Sequence, residues 1–151
     1  MERAVKKGIV LESACGKGHL GHDCAKAALT AGIEPDIISG DFTRKTYNYE
    51  PAVSLPYLMS RFLALGMPFE KVLACCTSTP ARKMGMEGRI GCLKGGARVN
   101  IAVFEQQQGN FEFADVCGIT VAGKELLVPM LTVFEGDLVY RDFSTIHCVR
   151  S

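Results

Sequence analysis

The chain has 151 residues, enough for one domain at the usual scale of roughly 100–200 residues each and short of the about 250 that a closed eight-stranded α/β barrel takes. Hydrophobic residues make up 48% and charged residues 22%, a globular composition far from that of disordered chains. Lys plus Arg (17) against Asp plus Glu (16) leaves a formal charge of +1, so no field favours nucleic acid or an anionic membrane.

Seven cysteines, Cys15, Cys24, Cys75, Cys76, Cys92, Cys117 and Cys148, are scattered without a CxxC. With no apolar stretch behind the charges of Met1 to Lys7, they point to reduced thiols and a cytoplasmic protein. The longest apolar run, Leu126 to Phe134, is broken by Pro129 and Thr132 and falls short of the ~20 residues that span a bilayer.

Gly8 to Ala14 is an apolar run without alternation, as expected of a strand covered on both faces of a parallel sheet. A glycine-rich loop, Cys15 to Gly21, leads into an alanine-rich helix expected over Asp23 to Ala31, with Gly32 as its left-handed stop. Ile37-Ile38-Ser39 is a second buried-type strand that delivers Gly40-Asp41 at its carboxyl end, completing a βαβ unit. After the loop from Thr43 to Ala52, Pro56 opens a helix with Leu58, Met59, Phe62, Leu63 and Leu65 on its apolar face and Gly66 at its end. Pro68 starts another, with Phe69, Val72, Leu73 and Cys76 on one side, and Thr79-Pro80 reads as the N-cap and first position of a short turn closed by Gly85.

Beyond Gly91 the period changes. Val99, Ile101 and Val103, and then Phe111 and Phe113, alternate with more polar residues, the signature of half-exposed antiparallel strands. Leu126 to Phe134 and Leu138 to Tyr140 flank Glu135-Gly136-Asp137, a hairpin turn.

Gly16-Lys17-Gly18-His19-Leu20-Gly21 is a G-x-G-x-x-G between strand and helix, with Asp41 twenty positions past Gly21 at the next strand end. That is the context of a dinucleotide fingerprint, in which glycines admit a pyrophosphate to the helix N-terminus and the acid binds a ribose hydroxyl. One βαβ unit, however, is less than the two βαβαβ halves from which such a Rossmann-like module builds its site. His19 and His22, three apart at a helix start with Cys15 and Asp41 nearby, are a second candidate as a small metal site; the commoner reading is a solvent-facing pair. Lys17 is a candidate for an anionic substrate group, against a plain solvated lysine.

A family resemblance covers more of the chain. Phe69 to Gly85, containing Thr77-Ser78-Thr79-Pro80-Ala81, followed by Gly91-Cys92-Leu93-Lys94-Gly95-Gly96-Ala97-Arg98-Val99-Asn100, resembles the C-terminal signature of the amidohydrolase superfamily. Asp36 to Asp41, Leu55 to Leu63 and Gly123 to Leu131 are similar to its deacetylase or dihydroorotase-like branch, so the resemblance runs from about Gly8 to Tyr140. It implies an α/β fold made of the C-terminal part of a (β/α)8 TIM barrel, its last two strands with their helices over residues 1–88, followed by part of a small β-sandwich over residues 89–151. The implied parent is a hydrolase of amide or cyclic amide C–N bonds using zinc or another divalent metal at the strand ends. Asp41 would be the metal-ligating and catalytic aspartate, taking a proton from the attacking water and returning it to the leaving nitrogen. Cys15, Gly16, Lys17 and Gly18 would form the loop shaping the substrate pocket. Relatives commonly have His-Gly at Cys15-Gly16, Asn before Pro80 and Asp at Asn100.

With only three histidines, His19, His22 and His147, and no H-x-H, the chain by itself is expected to hold metal weakly and to lack hydrolase activity. Open strand edges imply self-association or a complementing N-terminal chain. The other readings are a dinucleotide-binding module and a non-catalytic interaction protein derived from the same scaffold.

Overall fold

The computed structural model describes residues 6–15, 19–44, 54–115 and 117–143. The first strand, β1 (Glu12–Ala14), pairs in parallel with β2 (Ile37–Ser39), with Ser13 opposite Ile38. Backbone bonds from Asp36 N–H to the Leu11 carbonyl (2.8 Å) and from Cys15 N–H to the Ser39 carbonyl (2.9 Å) extend the ladder at both ends. Strand β1 is shorter than the apolar run suggests. Gly8 lies at φ +70°, and Ile9 and Val10 are exposed, with no partner strand beside them among the described residues.

Helix α1 (His22–Thr30) crosses between the two strands and begins one residue earlier than its alanine pattern indicates. Gly32, at φ +73°, ends it as expected: Gly32 N–H bonds to the Leu29 carbonyl and Ile33 N–H to that of Ala28, the paired bonds of a Schellman cap. The same two bonds recur at Gly66, behind α2 (Leu55–Ala64), and at Gly85, behind α4 (Ser78–Lys83). Helix α2 starts on Ser54, whose hydroxyl accepts the Tyr57 N–H, and Pro56 stands in its first turn.

Helix α3 (Phe69–Cys76) follows Pro68 directly. Its buried residues are Val72 and Cys75, with Phe69 and Cys76 packed partly against the core, whereas Leu73 is exposed. The expected face is therefore turned by part of a residue step. Helix α4 begins at Ser78 with Thr77 as its cap, not at Thr79. Pro80 consequently sits in the first turn, where its missing N–H would have had no partner. Gly91 presses on this junction: a Cβ there would lie 2.5 Å from the Thr77 carbonyl oxygen, so only glycine fits.

The remaining strands, β3 (Ile101–Ala114), β4 (Thr120–Phe134) and β5 (Asp137–Arg141), form one antiparallel sheet in that order. The two alternating segments around Val103 and Phe113 are one long strand, with register shifts after Val103 and between Gln108 and Phe111. The hairpin after β4 turns on Glu135 and Gly136, both at positive φ (51° and 94°), the geometry of a two-residue turn matched to strand twist. Asn100 Oδ1 accepts the Glu135 N–H at 2.8 Å, tying the start of β3 to this turn. The described residues make a single three-stranded sheet here; the two facing sheets of a sandwich are not formed among them. No helix among the described residues is long and apolar enough to cross a membrane.

Helix α2 joins the two parts. Leu58, Met59, Phe62, Val72, Ile38 and Leu127 share one buried cluster, so a residue of β4 lies in the same core as β2. Tyr57 packs against Phe113 with ring centroids 5.3 Å apart and planes tilted by 60°, and Gly123 leaves room for Ala64 and the Phe113 ring. The sequence assigns α2 an apolar face, yet Ser60 and Arg61 are buried too, because the helix is covered on several sides at once. Ser60 Oγ donates to the Pro56 carbonyl and accepts the Leu127 N–H, each at 2.9 Å.

Candidate functional site

The carboxyl ends of β1 and β2 lie side by side and carry Cys15 and Asp41. This is the edge on which α/β folds assemble their sites, because strand-end loops converge there. Asp41 has φ 42°, in the left-handed region that a non-glycine residue adopts at a cost and that recurs at functional positions. His19 reaches it, Nδ1 lying 3.0 Å from Asp41 Oδ2, with both side chains open to solvent. The two residues can share a proton or present adjacent nitrogen and oxygen donors.

Cys15 is of another kind. Its side chain is 1% exposed, its thiol donates weakly to the Ser13 carbonyl at 3.5 Å, and burial pushes its pKa up. Contact with the Ser13 hydroxyl and the nearby Arg61 charge offset that only in part. It is a packed thiol at the base of the loop, not an accessible nucleophile. Gly16, Lys17 and Gly18 lie outside the described residues. Beside the strand ends, β1 and α1 enclose a largely apolar cleft of about 400 Å³, lined by Leu11, Ala14, Leu20, Ala25, Leu29 and Phe62, with His19 at its rim.

His22 does not join His19 in a metal site. Its ring is buried among protein partners: Nδ1 lies 2.8 Å from the Ile119 carbonyl, and Nε2 faces Arg61 Nε at 3.2 Å and Nη2 at 2.9 Å. A guanidinium only donates, so Nε2 must accept and Nδ1 must carry the proton it gives to Ile119. Burial first, and then the Arg61 charge, lower the His22 pKa below its ordinary 6.5. The ring is neutral and committed.

Asp115, which sequence reasoning passed over, completes this cluster. Its Oδ2 accepts the His22 backbone N–H at 2.8 Å, at the first turn of α1, and its Oδ1 accepts the Cys117 and Ile119 N–H groups at 2.8 and 2.9 Å. The His22 N–H bond is the foremost cause holding its carboxyl below the usual range, with the two turn N–H groups adding to it. The available signal was slight: an aspartate three residues before Gly118 at a strand end, which implies a turn but not a contact 93 residues away. Arg61 was masked in the sequence by the apolar neighbours of α2.

Among the described residues, no three His, Cys, Asp or Glu side chains converge as a metal set requires. His19 and Asp41 offer two donors and do not make a centre by themselves. The dinucleotide reading is also not favoured. Two parallel strands are followed by an antiparallel sheet, so a second βαβαβ half is not formed among the described residues, and the acid meant for a ribose faces His19.

No family model matches the sequence. A deacetylase of Agrobacterium fabrum is 30% identical over 140 residues, covering 91% of this chain and 33% of that protein. A deacetylase of Brucella anthropi is 29% identical over 140 residues, covering 91% and 34%. Among solved structures, an adenine deaminase superposes with a TM-score of 0.85 at 23% identity, covering 93% of this chain and 38% of that one. A dihydroorotase gives 0.78 at 28% identity, covering 93% and 37%. The chain thus spans about a third of the length of the curated relatives it matches.

Proposed function

Since this chain belongs to the amidohydrolase superfamily, we propose that it is the C-terminal part of a metal-dependent hydrolase of amide or cyclic amide C–N bonds. In this reading β1 and β2 are the last two strands of the barrel, residues 1–88 belong to it, and residues 89–151 are the contribution to the sandwich. The single observation that carries the reading is Asp41: a carboxylate at the carboxyl end of the second parallel strand, at φ 42°, with His19 Nδ1 3.0 Å away. Aspartate is among the non-glycine residues that enter the left-handed region, and its place at the strand end beside His19 is what supports the reading.

Asp41 would take a proton from the water that attacks the carbonyl and return it to the leaving nitrogen. His19 would orient the carboxylate through Oδ2. A zinc or similar ion, when bound, would polarise the carbonyl and acidify the water; further ligands for it would come from beyond the described residues. Cys15 and the residues 16–18 after it would bound the pocket, Cys15 by packing alone.

The edge of β1 that has no partner strand among the described residues, and the apolar cleft beside it, support an association, either with a second copy or with a complementing N-terminal chain. The test is to add, as a second chain, the portion of a relative that has no counterpart here, and to assay acetylated and cyclic amides in the presence of zinc. Hydrolysis is expected, and Asp41→Asn should lower it about 10²–10⁴-fold. An assembled pair whose activity is indifferent to Asp41 would sink the assignment.

A further inference from the structure

His19 and Asp41 are both solvent-exposed, and a contact between two exposed polar side chains is too weak to order the segment that carries it. The order must come from the other end of that segment. His19 lies three residues before His22, with Leu20 buried in the core between them, so a shift of His22 is passed on to His19. His22 is held at its backbone and at both ring nitrogens, Nδ1 by the Ile119 carbonyl at 2.8 Å. Asp115 Oδ2 holds its backbone N–H at 2.8 Å, and the Arg61 guanidinium holds its ring nitrogen at 2.9 and 3.2 Å.

We propose that Arg61 and Asp115 are positioning residues for the strand-end pair: through the ring and backbone of His22 they set the point from which His19 reaches Asp41. The inference rests on the reading of Asp41 as the carboxylate of the site. Neither residue touches that carboxylate. Arg61 stands on α2 and Asp115 beyond the end of β3, so the antiparallel sheet and the central helix jointly determine the geometry at the end of the parallel strands. Nε and Nη2 converge on the one lone pair of Nε2, a bifurcated contact that keeps this nitrogen an acceptor and so fixes the tautomer.

The experiment uses the full chain with 15N-labelled histidine side chains. The wild-type His22 ring should show a protonated Nδ1 and a bare Nε2. Asp41→Asn should move the His19 ring signals, and both Arg61→Lys and Asp115→Asn should move them in the same direction by a comparable displacement. Arg61→Lys retains the charge and a donor, so the test survives if Asp115→Asn fails to fold. A control in the core, Val72→Ala, lowers the melting temperature and should leave His19 in place. The proposal is overturned if His19 is unmoved by Arg61→Lys, if Val72→Ala moves it equally, or if Asp41→Asn does not move it. None of these readouts depends on turnover, so the catalytic reading of Asp41 can fail separately.

Discussion

His19 and His22 are three residues apart and chemically identical, yet they occupy opposite environments. One is open to solvent and meets a carboxylate whose backbone is in a costly conformation; the other is buried, neutral and bonded at both ring nitrogens. Burial, not residue type, assigns their roles. A buried imidazole with both nitrogens committed serves the fold, whereas an exposed one beside an aspartate keeps a ring nitrogen open to solvent or a ligand.

The largest effect should come from breaking the buried side of this contrast. Arg61→Ala removes two charge-assisted bonds and strands the His22 lone pair, a loss of about 2–3 kcal/mol, seen as a melting temperature lower by roughly 5–10 °C. Ser60→Ala comes next: it leaves the buried Leu127 N–H without its acceptor and should cost about 1–2 kcal/mol in denaturant unfolding. A cost near zero would mean that water replaces the hydroxyl.

Acid probes the same contrast without mutation. Because folding holds His22 below 6.5, the unfolded chain takes up its proton first as pH falls. The stabilisation is complete above about 6.5 and is lost as pH falls through the lower folded value. Asp115 adds a second decline below its ordinary 3.8, lost as pH falls through its own depressed value. A melting profile in His22→Phe should lack the upper decline; an unchanged profile would show that some other group titrates.

The exposed side should respond weakly. His19→Ala is expected to change stability by no more than about 0.5 kcal/mol. Asp41→Gly should stabilise by up to about 1 kcal/mol, since glycine adopts φ 42° freely. Thiol labelling gives a final check on burial. Exposed Cys24 and Cys117 should react within minutes, while Cys15 and Cys76, the latter with a pKa pushed up to about 12, should resist until the chain unfolds.

Much of the fold was legible locally. Gly32, Gly66 and Gly85 each mark a helix end, since a positive φ at that position is a demand that glycine alone meets cheaply. Ile37-Ile38-Ser39 and the turn at Glu135-Gly136 were equally plain. Asp41 was visible as an acid at a strand end with His19 close by in the glycine-rich loop, although their direct contact and the separation of His22 from it were not. The buried cluster was illegible because its members, His22, Arg61 and Asp115, come from three distant places and meet only in space. Strand β3 was divided in two because a register shift interrupts its alternation after Gln108.

Ser60 has a role beyond its two bonds. Among the described residues β5 pairs with β4 only from Leu131 onward, so the earlier part of β4 has no strand beside it on that side. At Leu127 a helix hydroxyl takes the place that a neighbouring strand would fill. Helix α2 thereby guards that margin against intrusion by foreign chains. An unwanted strand pairing at Leu127 would first have to displace the Ser60 hydroxyl, which the packing of Leu58, Met59 and Phe62 holds in place.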